Sequence, residues 1–233
     1  SNNEGGLNWI VGAFYTDATI DSDIELFFTP DLGGALPPLL DDLGTIDSES
    51  YSLFGEVSKD FLDGFMTGLI GVRYFEDDRS ARGTSLLTGV IPGMSETFDS
   101  VNPRFNLAIR PFEDGMLFVD ITKGFRSGTI QTPGQALLPS LVGIDTGIVI
   151  DPDELWTYEL GAKWSLADGA FIVDAAVYFT DWSDIQIPFD AVGTGLVSVM
   201  NGGDAEITGL DLGIVWLTPI EGLSFQATAN FND

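Results

Sequence analysis

Residues 151–164, DPDELWTYELGAKW, lead through the tight Ala167-Asp168-Gly169 into AFIVDAAVYFTDWSDIQ at 170–186, and a longer Gly-rich stretch then leads into NGGDAEITGLDLGIVW at 201–216. Tight and long connections alternate between strand-like blocks. Short turns on one rim and long loops on the other are how a transmembrane β-barrel is threaded. The stretch therefore predicts consecutive antiparallel strands whose two ends meet different environments.

Working outward, the same alternation covers the chain. Strands are expected near 7–19, 48–59, 64–76, 98–110, 115–128, 154–166, 170–184, 197–217 and 222–232, each close to or above the ~9–11 residues that a tilted strand needs to cross a bilayer. Connections near 60–63, 111–114, 167–169 and 218–221 are short and carry Asp, Gly or Pro, as hairpin turns require. Those near 20–47, 77–97, 129–153 and 185–196 are long. The fold class predicted is all-β: an antiparallel transmembrane barrel meander, with strand 7–19 pairing with 48–59 and so on to the end.

Alternation within the strands separates two faces. Phe105, Leu107 and Ile109 oppose Arg104, Asn106, Ala108 and Arg110; Leu160, Ala162, Val173, Ala175 and Val177 continue the apolar set. The polar face collects Glu56, Arg73, Arg104, Arg110, Asp120, Arg126, Glu159, Lys163, Asp174 and Asp211. A soluble sandwich also alternates, but whole charges recurring on one face of strand after strand suit a wide, wet or plugged lumen, with the other face against lipid. Phe54, Leu69, Phe118, Ile172 and Tyr178 break the pattern on the polar face, and Gly12, Gly55, Gly68, Gly71, Gly161, Gly209 and Gly213 sit inside strands, where glycine usually weakens pairing. Trp9, Trp164 and Trp216 fall toward the short turns and Tyr15, Tyr74, Trp156 and Trp182 toward the long loops, as two interfacial aromatic girdles would require, or as aromatics capping a soluble core would.

Composition removes other functions. Acidic residues number 36 against 9 basic, a net charge of −27, which argues against nucleic acid as a partner. Yet 44% hydrophobic and 12% aromatic content is far from a disordered acidic chain. Histidine and cysteine are both absent, so no disulfide, thiolate nucleophile, imidazole base or imidazole metal ligand is available, and only oxygen ligands for a hard cation remain. No 18-residue apolar run marks a transmembrane helix, and Ser1-Asn2-Asn3-Glu4 does not read as a signal peptide. Gly124-Phe125-Arg126-Ser127-Gly128 is not a G-x-S-x-G elbow, and carboxylate pairs such as Asp181 and Asp184 are inevitable among so many. No enzyme activity, cofactor or metal centre is expected. The first long loop, crowded by Asp17, Asp21, Asp23, Glu25, Asp31, Asp41, Asp42, Asp47 and Glu49, reads either as a cation-attracting mouth or as a solvated acidic loop.

Several ordered motifs then resemble one family. Val101-Asn102-Pro103-Arg104-Phe105, Leu117-Phe118-Val119 and Lys123-Gly124-Phe125-Arg126-Ser127-Gly128 are similar to a "PR" strand followed by a "KGFRSG" strand. Asp151-Pro152-Asp153-Glu154 with Tyr158-Glu159-Leu160-Gly161-Ala162-Lys163 resembles "PE…YELGxK". Asn201, Gly203, Ala205, Ile207, Gly209 and Asp211 match "NxGxAxIxGxE" with a shorter final carboxylate. Upstream, 9–15 (WIVGAFY) and 71–74 (GVRY) resemble earlier strands. The pattern is that of a TonB-dependent outer-membrane receptor barrel. The resemblance implies a cell outer membrane location, short periplasmic turns, long extracellular loops, and a 22-stranded barrel of which about nine strands are read here. The chain is then part of one barrel domain, without the plug domain and final strands that the family carries. Implied partners are outer-membrane lipid, the receptor's own plug domain, the TonB-ExbB-ExbD energy-coupling complex and an extracellular small-molecule ligand such as an iron-siderophore. Arg73, Arg104, Arg110, Asp120, Arg126, Glu159, Lys163, Asp174 and Asp211 are the lumen-facing, plug-contact candidates. A structural or adhesive β-protein, such as an autotransporter barrel or a secreted sandwich, is the alternative from another class.

Overall fold

The computed structural model describes residues 6–26, 40–85, 89–191, 193 and 196–233. In chain order the elements are β1 (Leu7–Leu26), β2 (Leu40–Phe61), β3 (Met66–Ser85), β4 (Gly89–Phe112), β5 (Gly115–Arg126), β6 (Thr129–Ile130), α1 (Pro133–Ser140), β7 (Val149–Ile150), β8 (Asp153–Leu166), β9 (Phe171–Ser183), β10 (Gln186–Phe189), β11 (Ser198–Asn201), β12 (Ala205–Leu217) and β13 (Ser224–Asn232). Nine of the strands form one sheet in the order β1-β2-β3-β4-β5-β8-β9-β12-β13, every pair antiparallel. This is the expected meander, and as described the sheet is open.

Turn chemistry sets the short connections. Leu62-Asp63-Gly64 and Ala167-Asp168-Gly169 repeat one conformation, with φ of 53°, 55° and 87° in the first and 53°, 54° and 87° in the second. Left-handed backbone suits Gly and is tolerated by Asp, so the Asp-Gly pair carries the reversal, and the bulkier Leu62 and Ala167 accept the cost at its first position. Phe65 N–H donates to Leu62 O at 3.1 Å and Ala170 N–H to Ala167 O at 3.1 Å, closing both turns.

Away from the turns, three expectations need correction. The first four strands run 20 to 24 residues, against 12 to 14 for β5, β8, β9 and β12, so much of the expected loops at 20–47 and 77–97 is paired strand. Their tips at 27–39 and 86–88 lie outside the described residues. These extensions are rich in Asp and Gly, which have low strand preference, interspersed with Ser and with strand-favouring Thr. They stay paired through cross-strand hydroxyl–carboxylate hydrogen bonds: Thr19 to Asp47 at 2.8 Å, Thr45 to Asp21 at 2.9 Å and Thr97 to Asp78 at 2.6 Å. The expected loops at 129–153 and 185–196 hold β6, α1, β7 and β10, and the expected strand 197–217 divides into β11, which pairs with β10, and β12, which joins the large sheet. Asn201-Gly202-Gly203-Asp204 causes the division, since Gly203 sits at φ 111°.

Directly paired residues lie on one face of an antiparallel sheet. Trp9, Val57, Ile70, Phe105, Ile121, Tyr158, Phe179 and Thr208 are joined by successive pairings; one residue along, so are Ile10, Glu56, Gly71, Arg104, Thr122, Thr157, Thr180 and Ile207. One face is thus apolar and well exposed, with Val11 64% and Leu160 56% accessible. The other is polar. The best-buried side chains lie at the outer end of the polar face: Asp77 and Asp153 on the wall itself, and Ile130, Ile150 and Ser198 in the two loops of residues 127–152 and 184–204 that fold against it.

Candidate functional site

All nine polar-face candidates share one face by register. Arg104 and Asp120 meet as an ion pair at 3.1 Å, Asn106 adds a hydrogen bond to the same carboxylate oxygen at 3.0 Å, and Glu56 stands 4.0 Å from Arg104. Glu159 is the direct partner of Asp120, and Lys163 that of Asp174. Lys163 also lies over the Phe118 ring at 5.8 Å. Asp211 accepts from Asn230, whose amide also reaches Tyr178 Oη at 3.2 Å. Arg73 stands apart, over the Phe75 ring at 5.5 Å. Arg110 anchors a turn by donating to Thr67 Oγ1 at 2.8 Å.

The two irregularities on this face explain each other. Gly12 pairs with Phe54, Gly161 with Phe118 and Gly209 with Tyr178. A Cβ at these glycines would lie 2.3, 2.3 and 2.2 Å from the partner's ring. Each aromatic ring therefore lies flat across its neighbour's glycine, which keeps large side chains low on the wall and covers exposed backbone.

At the outer end the motifs converge. Arg126 donates through Nε to Asp153 Oδ2 at 2.7 Å and through its second terminal nitrogen to the same oxygen, while its backbone N–H reaches Oδ1 at 3.2 Å. Gln186 donates its backbone N–H to Asp153 at 3.2 Å and its side-chain amide to Ser127 O at 3.0 Å and Asp151 O at 2.9 Å. Asn201 bridges Asp151 O at 3.0 Å and Asp184 O at 2.8 Å. Ser127, from the "KGFRSG" strand, donates to Asp77 on β3 at 2.7 Å; Ser48 at 2.6 Å and Arg79 at 2.8 Å complete that carboxylate's shell. Gln131 Oε1 accepts from Val199 N–H at 3.1 Å, and Ser198 Oγ donates to Gln135 O at 2.6 Å. Pro133 and the Thr132–Gln135 capping box start α1 within this assembly. The loops of residues 127–152 and 184–204 thus form one clasped unit, anchored to the wall at Asp77 and Asp153.

Asp77 and Asp153 lie three residues outward of Tyr74 and Trp156, beyond the apolar band, and are 1% and 0% exposed. Burial pushes both carboxyls up, but their partners outweigh it. Hydrogen bonds from Ser48, Ser127 and Arg79 hold Asp77 below its ordinary value, and those from Arg126 and the Gln186 N–H do the same for Asp153. Sequence reading missed Asp77, Asp153, Gln186 and Asn201 as a cluster. Asp153 and Asn201 lay inside recognised motifs, whereas Asp77, in the run Glu76-Asp77-Asp78, carries no signal of burial.

Of the seven girdle candidates, six stand on the apolar face. Trp216 stacks between Phe171 and Phe225 at 5.9 and 5.5 Å at the turn end, and Trp164 covers Gly115. Tyr15, Tyr74 and Trp156 lie toward the loops. Trp182 is the exception. It pairs with Leu155 and Ala205 on the polar face, and the Arg126 guanidinium lies 5.2 Å from its ring centre, so it belongs to the clasp. In the acidic hairpin, Asp31 lies outside the described residues. Among the described residues no group of three or more acidic side chains is placed to hold a metal ion.

A wall with one apolar face, one charged face, tight turns at one rim and longer loops at the other is built as the walls of membrane β-barrels are. The chain belongs to the TonB dependent receptor-like β-barrel family, whose model matches residues 1–233. Members are receptors of the Gram-negative outer membrane, not enzymes. A probable TonB-dependent siderophore receptor, PiuA of Acinetobacter baumannii, is 23% identical over 225 residues, covering 86% of this chain and 26% of that protein. Two solved structures share the fold: the ferric yersiniabactin uptake receptor FyuA of Yersinia pestis (TM-score 0.73, 18% identity, 97% of this chain and 32% of that one) and the ferric preacinetobactin receptor BauA of Acinetobacter baumannii (TM-score 0.57, 18% identity, 97% and 33%). The chain spans about a quarter of the curated relative's length and about a third of each structure's.

Proposed function

We propose that the chain is a contiguous arc of a larger barrel, in a receptor that takes up a scarce nutrient, an iron-siderophore or similar chelate, across the outer membrane with energy delivered through TonB. The observation that carries this reading is the sorting of side chains across nine consecutive strands. The apolar face meets lipid. The polar face, with Arg73, Arg104, Arg110, Asp120, Arg126, Glu159, Lys163, Asp174 and Asp211, lines a lumen that houses the receptor's plug domain, and the clasped loops lie at the extracellular mouth. Relatives described as siderophore and ferric-chelate receptors support the substrate class.

The test is uptake of radiolabelled ferric chelates by iron-starved cells that carry the full-length receptor, with and without a working TonB. Uptake should require both. Uptake that persists without either would favour the structural or adhesive reading. Spin labels at Leu160 and Glu159 in the same receptor test the faces: the label at 160 should be relaxed by lipid-soluble oxygen and the label at 159 should not, because neighbouring positions point to opposite sides.

A further inference from the structure

On the apolar face one charged residue stands out. From the turns up to Ala13, Leu53, Tyr74 and Val101 in β1 to β4, and up to Ile121, Tyr158, Phe179 and Thr208 in β5, β8, β9 and β12, every described residue on that face is uncharged except Lys59; charges such as Glu76, Lys123 and Asp181 return only further out. Lys59 lies three residues before the Leu62 turn, is exposed, and makes no ion pair with any described residue; its ammonium group lies 5.5 Å from the centre of the Phe61 ring. A lone lysine here runs its stem along apolar surface toward the headgroup layer at the turn-side rim.

Beside it is a groove of about 520 Å³, walled by Val57, Ile70, Phe105, Leu107, Val119 and Ile121. Gly68, the direct partner of both Lys59 and Leu107, makes the depression. This glycine differs from Gly12, Gly161 and Gly209. Those lie under a partner's ring, whereas a Cβ at Gly68 would meet only the edge of Phe61, at 3.5 Å. Nothing in the described protein fills the space, and a larger side chain would fit without strain. An open apolar trough that ends at an unpaired cation matches one occupant by shape and charge: an acyl chain with a phosphate at its head.

We propose that Lys59 and the Gly68 groove hold one phospholipid of the periplasmic leaflet, its phosphate on the lysine ammonium and one acyl chain along the trough. This rests on the reading of the apolar face as lipid-facing. The cation supplies attraction to the anionic phosphate, and the trough supplies burial of methylene groups that a smooth wall would leave to neighbouring lipids.

The experiment uses the full-length receptor, reconstituted in bilayer discs of phosphatidylethanolamine and phosphatidylglycerol and then released into detergent for native mass spectrometry. Wild-type receptor should retain one phospholipid, Lys59→Ala should lower its occupancy about fivefold, and Gly68→Leu should abolish it while leaving the folded barrel intact. A photo-crosslinker at Leu107 should label phospholipid in the wild type and not in Gly68→Leu. Equal retention and labelling in all three proteins, or retention of lipopolysaccharide in place of phospholipid, would overturn the proposal. Oxygen relaxation of a spin label at Leu212 on β12, three strands beyond the groove on the same face, separates the two failures. If that label is lipid-exposed and retention is unchanged, only the lipid site is wrong; if it is shielded, the reading of the face itself is wrong.

Discussion

Phe118 over Gly161 shows how a single residue can look misplaced in sequence and be required in the fold. An aromatic ring on a charged face and a glycine within a strand both count against a strand taken singly. Paired, they remove each other's cost, because the ring needs the vacancy and the bare backbone needs the cover. The same geometry at Gly12 and Gly209 makes it a device of this wall. Alanine at 161 places a methyl 2.3 Å from the ring, a contact no real side chain makes, so the ring or the strand must move. The expected result in the full-length receptor is a Gly161→Ala barrel destabilised by about 1–3 kcal/mol, in the range of overpacked cores. It should be read as a lower temperature of the gel shift that accompanies barrel unfolding. Phe118→Leu in the same chain should recover most of the loss. An unchanged shift temperature in the single variant would show that the ring does not hold its place.

At the scale of elements, the clasp of residues 127–152 and 184–204 is held on two buried carboxylates, and that gives it a definite response to acid. Asp77 and Asp153 both titrate below the ordinary value in the folded state, so their contribution is present at pH values above the unfolded carboxyl's pKa of about 3.9. It is lost as pH falls through the depressed folded values. Pepsin should therefore begin to nick the two loops below about pH 4 while the strands stay resistant, and both loops should become accessible together because Gln186 and Asn201 tie them. Arg126→Ala should open the clasp already at neutral pH, since an unpaired buried carboxylate costs about 3–5 kcal/mol. Cleavage that shows no pH dependence in the wild type would refute the role given to the two carboxylates.

The meander and both faces were legible because they rest on alternation and turn chemistry, which are local: Asp63-Gly64 and Asp168-Gly169 mark reversals, and Phe105 against Arg104 marks the faces. The long outer ends of β1 to β4 were not. Thr19, Asp21, Asp47 and Asp78 are polar side chains beyond the apolar band, so no apolar period marks them, and their pairing depends on partners tens of residues away. The clasp was hidden for a related reason. Asp77, Asp153 and Gln186 come from three separate segments, and nothing local distinguishes a carboxylate bound for burial from the many that face water. Trp182 was assigned to a girdle by its height along the strand, and the pairing with Leu155 and Ala205 shows that its parity should have taken precedence.

For the molecule as a whole, the charge of −27 coexists with a strongly apolar surface because the acids are kept to the outer hairpins, the polar face and the turns, while one continuous band on the opposite face is almost wholly apolar. This division also limits what the sheet can do unaided. In the nine-stranded sheet β1 and β13 each pair along one edge only among the described residues, leaving two rows of backbone groups open. In water, such edges recruit other strands. In hydrocarbon each unpaired group costs several kcal/mol, which is why sheets cross membranes only when closed. Residues 1–233 produced alone and mixed with phospholipid vesicles should therefore aggregate or stay unfolded, while the full-length receptor inserts and resists denaturation until heated. Gel mobility before and after heating, together with sedimentation of the vesicle fraction, distinguishes the two cases. A monomeric, heat-modifiable, membrane-inserted product from the isolated segment would mean that β1 and β13 can close on each other, and the nine strands would then be a complete barrel in their own right.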